Sequence, residues 1–335
     1  MTESLKTLCG IPGISGAEDA VRDAVVSLLP SGVGHRTDPL GSLIVHKPGL
    51  PAKNRLMLSA HMDEVGLLVT HVTEEGLLRF SPIGIDPRVL HGRRVLVGGK
   101  VPGVIGAKAG HHLTDEEKDA PLKAEHLYID IGALTRQEAA LLASPGDWAA
   151  FSAEIEPFGD GMLLSKALDD RAGCALLLNL LRHSSESFDA VFTVQEESGL
   201  AGAAAAGYAV DAAIALILET TTAADIAGVP AEKQVCRLGA GPVVSFADKG
   251  ALYDRELFAL ALSTARELEI PAQVKEGVVG GNEARAVQRA GPGRRVLAVS
   301  LPCRYLHSDS SVLAVCDLEH TAKLLLALLP RLAAL

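Results

Sequence analysis

Apolar positions along the chain recur with two different periods, and the changes of period mark out its parts. Ala20, Val21, Ala24, Val25 and Leu28 fall at helical spacing behind Ser15-Gly16-Ala17-Glu18, which has the form of a capping box, and Pro30 ends the run. This predicts an opening amphipathic helix. Short strands follow at Leu43 to Val45 and at Arg55 to Ala60, the second stopping at His61-Met62-Asp63-Glu64. From about Val69 to Phe158 the apolar runs shorten (Leu77 to Phe80, Arg94 to Val97, Val101 to Ile105, Leu127 to Ile131), and turn signals such as Gly98-Gly99 and Pro102-Gly103 separate them. Six or so such strands can close their own small core. Beyond them, Asp169-Asp170-Arg171 precedes an apolar helix from Ala172 to Leu181. Strands at Phe188 to Val194, Ala212 to Leu218 and Arg295 to Leu301 then share the chain with helices at Glu256 to Glu267 and about Asp317 to Leu329.

Strand and helix therefore alternate everywhere except in the β-rich stretch. The pattern predicts an α/β layered sandwich with a mixed central sheet, formed by residues 1–68 and 159–335 and interrupted by a small all-β domain at 69–158. With 335 residues and 48% hydrophobic content, the chain is long enough for these two cores. The formal charge of −10, from 31 basic and 41 acidic residues, offers no basic field to nucleic acid or to an anionic membrane. No apolar run reaches the roughly 18 residues of a membrane span, and the N-terminus lacks the form of a signal peptide. Five cysteines without CxxC spacing argue against a disulfide framework or a thiolate zinc site, and fit a reducing cytoplasm.

The candidate chemistry lies where strands end. Phe188 to Val194 leads into Gln195-Glu196-Glu197-Ser198-Gly199, a pair of carboxylates at the mouth of a buried strand. Two neighbouring acids on an extended chain point to opposite sides, so one can hold a cation while the other moves protons. His61, Glu219 and the His307 loop also follow strands, and Asp169 stands just before a helix. In open α/β sheets ligands bind beyond the carboxyl ends of the strands, which predicts that these residues converge. Singly, each has a plainer reading as a hydrogen-bonded core histidine, a helix cap or a solvated turn acid. Jointly, two imidazoles and three carboxylates with one Glu to spare can hold two divalent ions, if one carboxylate bridges them. Nitrogen and oxygen ligands of this kind suit zinc, cobalt or manganese. Such a pair can share a hydroxide nucleophile and stabilise the oxyanion of an amide under attack, so hydrolysis is the expected output.

Four motifs carry a resemblance. His61-Met62-Asp63-Glu64-Val65-Gly66, Lys166-Ala167-Leu168-Asp169-Asp170-Arg171, Gln195 to Leu200 and Arg304-Tyr305-Leu306-His307-Ser308 resemble, in order, those of the glutamyl-aminopeptidase or tetrahedral aminopeptidase family, whose members have also been labelled endoglucanase or cellulase M. The resemblance runs over nearly the whole chain. It implies a zinc-peptidase-like fold and an aminopeptidase acting on peptide substrates. It also implies one ion on His61 and Glu219, another on Glu197 and His307, and Asp169 bridging both across a cis peptide to Asp170. Glu196 would be the general base and Asp63 the acid that orients His61, with Arg171 available to pair with a nearby carboxylate. The insert would serve assembly into a homo-oligomer, a tetrahedral dodecamer. The chain departs from the commonest family pattern at Glu219, where Asp is more usual, at Glu283 and Arg285, and at Asp309, which replaces a Pro.

Other readings remain open on the residues alone. A glycosidase could use two carboxylates, but aromatic content is only 4% with the single Trp148, and the histidines would have no role. Another dinuclear amidase, such as a deacylase or carboxypeptidase, usually has a different sequence after its bridging Asp. An inactive scaffold would have no need of the intact ligand set. The Gly-rich pieces at Gly10 to Gly16 and Gly277 to Gly281 lack the context of a nucleotide site and read as turns.

Overall fold

The computed structural model describes residues 1–116 and 118–335. The chain opens with α1 (Thr2–Cys9) and α2 (Asp19–Ser27), then β1 (Gly34–Thr37), β2 (Leu43–Lys47) and β3 (Leu56–His61). The β-rich stretch contains β4 (Gly66–Val72), β5 (Leu78–Ile83), β6 (Arg94–Val97), β7 (Val101–Ala107), α3 (Asp115–Asp119), β8 (Leu127–Asp130), α4 (Arg136–Ala140) and β9 (Trp148–Phe151). After it come β10 (Glu156–Phe158), β11 (Met162–Ser165), α5 (Leu168–His183), β12 (Phe188–Thr193), α6 (Ala201–Ala209) and β13 (Ile214–Thr222). The last part holds β14 (Val243–Val244), α7 (Arg255–Glu267), β15 (Gln273–Val274), α8 (Ala284–Arg289), β16 (Arg295–Cys303), β17 (Ser311–Ala314) and α9 (Val315–Ala334).

The main sheet is mixed, with strand order β1-β2-β12-β3-β13-β16-β14-β15. Its four central strands, β12, β3, β13 and β16, run parallel, so their carboxyl ends lie side by side. These strands read as near-continuous apolar runs because both faces are covered. Leu56, Leu58 and Ala60 enter one core with α1, α2, α5, α7 and α9, whereas Met57, Val191, Ile217 and Ala298 enter a second with α6 and α8. Alternate side chains of one strand therefore hold helices on opposite faces.

Strands β4, β5, β8, β7, β6 and β9 close into a barrel with its own core, which includes Leu67, Val69, Leu78, Phe80, Val95, Ile105, Ile129 and Phe151. Along β5 and β8 every second residue points inward, the pattern of a small barrel filled by its side chains. The barrel strands run from Gly66 to Phe151. At the far end of the stretch expected as an insert, Glu156 to Phe158 pairs with β11 in a separate sheet of order β10-β11-β17, outside the barrel.

Local expectations needed correction at several points. Ser15 does not cap α2, whose N-cap position is Glu18. The Ser15 hydroxyl donates to Asp63 Oδ2 at 2.6 Å, and Glu18 Oε1 accepts from the N–H groups of Gly16 and Gln195, both at 2.9 Å. Contacts from distant loops have taken over the local capping pattern. β13 continues through Glu219 to Thr222 because its ladder with β16 pairs Glu219 with Ser300 and Thr222 with Cys303. Glu196 and Glu197 sit in a turn, three and four residues past the end of β12, and not on an extended chain.

Arg171 is fully buried and pairs chiefly with carbonyls, with Glu64 lying 3.8 Å away. Its guanidinium donates to Met62 O at 2.7 Å, Leu8 O at 2.5 Å, Ile11 O at 3.1 Å and Gly13 O at 3.2 Å. This single fork ties the N-terminal segment to the loop behind His61. Each of those carbonyls, left unpaired in the interior, would cost about 1–3 kcal/mol.

Candidate metal centre

Four parallel strand ends bring the expected residues together. His61 is the last residue of β3, and its place in the ladder is fixed by Thr193 opposite on β12. Glu219 extends from neighbouring β13, while Glu197 and His307 come from the loops that leave β12 and β16. Asp169 sits at the head of α5 behind Ala167, which has φ +56°, and its peptide bond to Asp170 is cis.

His61 Nε2 lies 3.3 Å from Asp169 Oδ1 and 3.5 Å from Glu219 Oε1. His307 Nε2 lies 3.3 Å from Asp169 Oδ2 and 3.5 Å from Glu197 Oε1. The two oxygens of Asp169 thus face one imidazole each. Three sets of side chains have ligand atoms within 4.8 Å of one another: His61, Asp169 and Glu219; Asp169, Glu197 and His307; and His61, Glu196 and Glu197.

The surroundings hold these groups in place without satisfying them. His61 Nδ1 is 3.0 Å from the Asp63 backbone carbonyl, whereas the Asp63 carboxylate is 3.5 Å away. The carboxylate has other work: it accepts from Ser15 and from the backbone N–H groups of Glu196 and Glu197, both at 3.0 Å. Asp63 therefore orients His61 through its main chain and pins the Glu196–Glu197 turn through its side chain. The N-cap position of α5 is Ala167, and of the two acids that follow it is Asp170, not Asp169, that accepts from a helix N–H. Asp170 Oδ1 accepts from Gly173 N at 3.0 Å, and a Cβ at position 173 would stand 2.2 Å from Asp170 Oδ2, so glycine is required there.

Electrostatics point the same way. Burial pushes Glu196 up to about 8, with His61 opposing and Glu197 and Asp169 adding repulsion. Burial likewise pushes Glu197 up to about 8, and holds Glu219 well above the carboxylate range. Burial works against charging His307, yet Asp169 and Glu197 beside it push it up to about 9. Asp169 Oδ1 and Glu197 Oε1 are buried without hydrogen-bond partners. Crowded carboxylates, orphaned oxygens and two imidazoles form a donor set that divalent cations of the zinc, cobalt or manganese type would complete.

A cavity of about 220 Å³ opens over this cluster, lined in addition by Thr220 to Thr222, Lys275 and Gly280 to Asn282. Residues 41–324 match the M42 glutamyl aminopeptidase family. The chain belongs to that family. Accordingly it is a peptide-bond hydrolase, an aminopeptidase. The lysyl aminopeptidase of Pyrococcus furiosus is 32% identical over 345 residues, spanning 98% of this chain and 97% of that protein. The TET1 peptidase of Pyrococcus horikoshii, described as assembling into a tetrahedron or a large octahedral shell, superposes with a TM-score of 0.85 at 34% identity over 98% of each chain. A Thermotoga maritima structure titled endoglucanase matches with a TM-score of 0.80 and 34% identity, over 98% of this chain and 97% of its own.

Some residues that shape the site had no visible signal in the sequence. Ser15 and Glu18 act on it only through tertiary contacts. Lys275 stands beside Glu276, just before the glycines at 277–281 that read as a turn, and carried no reading of its own. Glu283, a departure from the family pattern, lies outside the three metal-binding sets; it is fully buried and accepts from the hydroxyls of Ser59 and Thr193 behind the strand ends. Asp309, another departure, pairs at 3.1 Å with Arg93 of the barrel segment.

Proposed function

We propose that this aminopeptidase works with two divalent metal ions, zinc or cobalt with manganese as a further candidate. His61 and Glu219 would hold one, Glu197 and His307 the other, and Asp169 would bridge them. The observation that carries this is the division of Asp169, each of whose oxygens lies 3.3 Å from a different imidazole. Bound ions would supply Lewis acidity toward the scissile carbonyl and activate water for attack.

The chain's own part is proton traffic and positioning. Glu196 is outside the proposed ligand sets, and its turn is fixed by the two N–H bonds to Asp63. Its carboxylate takes the proton from the attacking water and returns it to the leaving amine, and its burial suits a group that exchanges protons near neutral pH. Hydrolysis of amino-acid anilides by protein stripped and then reloaded with zinc, cobalt or manganese tests the reading. Activity that survives complete removal of metal would overturn it.

We further assign the barrel to assembly of a homo-oligomer, a dodecamer in the manner of the TET1 relative. Leu134 and Leu141, on either side of the barrel segment's α4, are 81% and 86% exposed in the single chain, apolar surface that a subunit contact would cover. Excising residues 66–151 and joining the ends should give a smaller species in solution, and an unchanged large assembly would refute this role. Among the described residues no helix is long and apolar enough to cross a membrane. The five cysteines are all free, which supports a reducing cytoplasm as the working compartment.

A further inference from the structure

The turn that carries Glu196 directs three consecutive backbone N–H groups onto carboxylates from distant parts of the chain. Gln195 N donates to Glu18 Oε1 at 2.9 Å, and Glu196 N and Glu197 N donate to Asp63 Oδ1 and Oδ2, both at 3.0 Å. On its other side the turn runs into α6, with Gly199 N and Leu200 N donating to Glu196 O and Ala201 N to Gln195 O. Gln195 needs such support, because its φ of +56° is one that side-chain-bearing residues rarely adopt.

The Gln195 N–H belongs to the rigid peptide plane before Gln195, and the Glu196 N–H to the plane after it. The two carboxylates together therefore set the rotation of the residue between them. Glu18 stands 177 residues away in the chain and is 5% exposed. Its Oε1 accepts from both Gly16 N and Gln195 N, which joins the opening segment to the turn. The same segment steadies the other carboxylate, since the Ser15 hydroxyl donates to Asp63 Oδ2 at 2.6 Å. Glu18 lies outside the cavity lining and outside the three sets of candidate ligands. It reaches the chemistry through the backbone at Gln195.

Resting on the assignment of Glu196 as general base, we propose that Glu18 is a positioning residue for it. By holding Gln195 N, Glu18 keeps the left-handed turn that aims the Glu196 carboxylate at the attacking water. Glu197, as a proposed ligand, is tethered once an ion binds, whereas Glu196 is aimed by its backbone, and a small error of aim at a reacting atom is enough to slow turnover.

The test is kcat and KM on the best-hydrolysed amino-acid anilide, with metal titration alongside, for metal-loaded wild type, Glu18→Ala, Glu18→Asp and Glu18→Gln. Glu18→Ala is also combined with Glu196→Gln. Glu18→Ala should lower kcat about ten- to a hundredfold while KM and the affinity for both ions stay near native. Glu18→Asp keeps the charge but is one methylene short of Gln195, so it should lose kcat to a similar degree, and it carries the test if the alanine variant fails to fold. Glu18→Gln offers the same oxygen to both N–H groups and should recover most of the loss. In the Glu196→Gln background, Glu18→Ala should lower kcat by no more than about twofold further, because it acts through a base already removed. Near-native kcat in both Glu18→Ala and Glu18→Asp would overturn the proposal. So would an undiminished further loss in the Glu196→Gln background, or a loss confined to KM and metal affinity. Near-native turnover in Glu196→Gln alone would remove the base from Glu196, and this role of Glu18 with it.

Discussion

The two corners of the cluster that meet at Asp169 are built on different ground. The corner made by His61 and Glu219 stands on neighbouring parallel strands, with both residues buried and each backbone held by a ladder on one side, His61 opposite Thr193 and Glu219 opposite Ser300. The corner made by Glu197 and His307 stands on loops. His307 has φ +59°, its side chain is 42% exposed, and its loop is held by the Ser308 and Ser311 hydroxyls donating to Tyr305 O at 2.6 and 3.0 Å. The loop corner also leans on the barrel segment, through Arg93 on Asp309 and the Gly84 backbone beside the His307 imidazole. Moving the first corner means disturbing the central sheet, whereas the second answers to contacts that can change without unfolding anything.

Asp169→Asn should break the comparison most severely, because it removes the group common to both corners. Metal titration is expected to show both ions weakened together by more than about a hundredfold, beyond the 10–100-fold typical of losing an outer partner. Two ions bound at native affinity would disprove the bridge. Glu196→Gln comes next: it should keep both ions and lose roughly 10² to 10⁴ in turnover, and near-native turnover would assign the base elsewhere.

Arg93→Ala sharpens the contrast on a smaller scale. It should weaken one ion of the two by roughly tenfold, leaving the ion on His61 and Glu219 at native affinity. Equal weakening of both would show that the corners are not independent.

The smallest effect expected is on thermal stability. Glu196 and Glu197 are pushed up to about 8 in the folded metal-free protein, above their ordinary values, so their protonated forms favour the fold. That contribution is complete below the ordinary carboxylate range and is lost as pH rises through about 8. Metal-free protein should therefore lose Tm between pH 5 and pH 8, and added metal should raise Tm more at pH 8. A metal-induced shift that is the same at both values would contradict this.

The residues that meet in the cluster were legible because their strands announce them. A β-branched or apolar run that stops at His61, or passes through Glu219, shows both the element and the end from which the side chain emerges. Parallel neighbours then guarantee that such ends meet. Four of the barrel's strands were legible as short apolar runs between turn signals, and along β5 and β8 inward and outward residues alternate.

What could not be read were partners brought in by the fold. Arg171 was expected to pair with a carboxylate and does so with Glu64 at 3.8 Å, but its clasp on the carbonyls of Leu8, Ile11 and Gly13, far earlier in the chain, was not foreseen. Ser15 matched a capping pattern that depends only on local spacing, and the structure uses its hydroxyl on Asp63 instead. The Glu196–Glu197 pair was expected on extended chain because the run before it is a strand. Gln195, with φ +56°, turns the chain just before them, and no periodicity marks a single left-handed residue.

Gly84, at the seam where the barrel meets the catalytic strands, sets a rule for exchanging parts. A Cβ there would come within 2.7 Å of a Val65 methyl and 2.9 Å of Glu197 Oε2. Its φ of +70° is also one that side-chain-bearing residues rarely adopt. A barrel transplanted from another protein could differ in every strand and still be accommodated, provided it arrives at this point bare. One that brings even a methyl group would press on Val65 and on the Glu197 carboxylate, so the seam admits new modules by their backbone and not by their sequence.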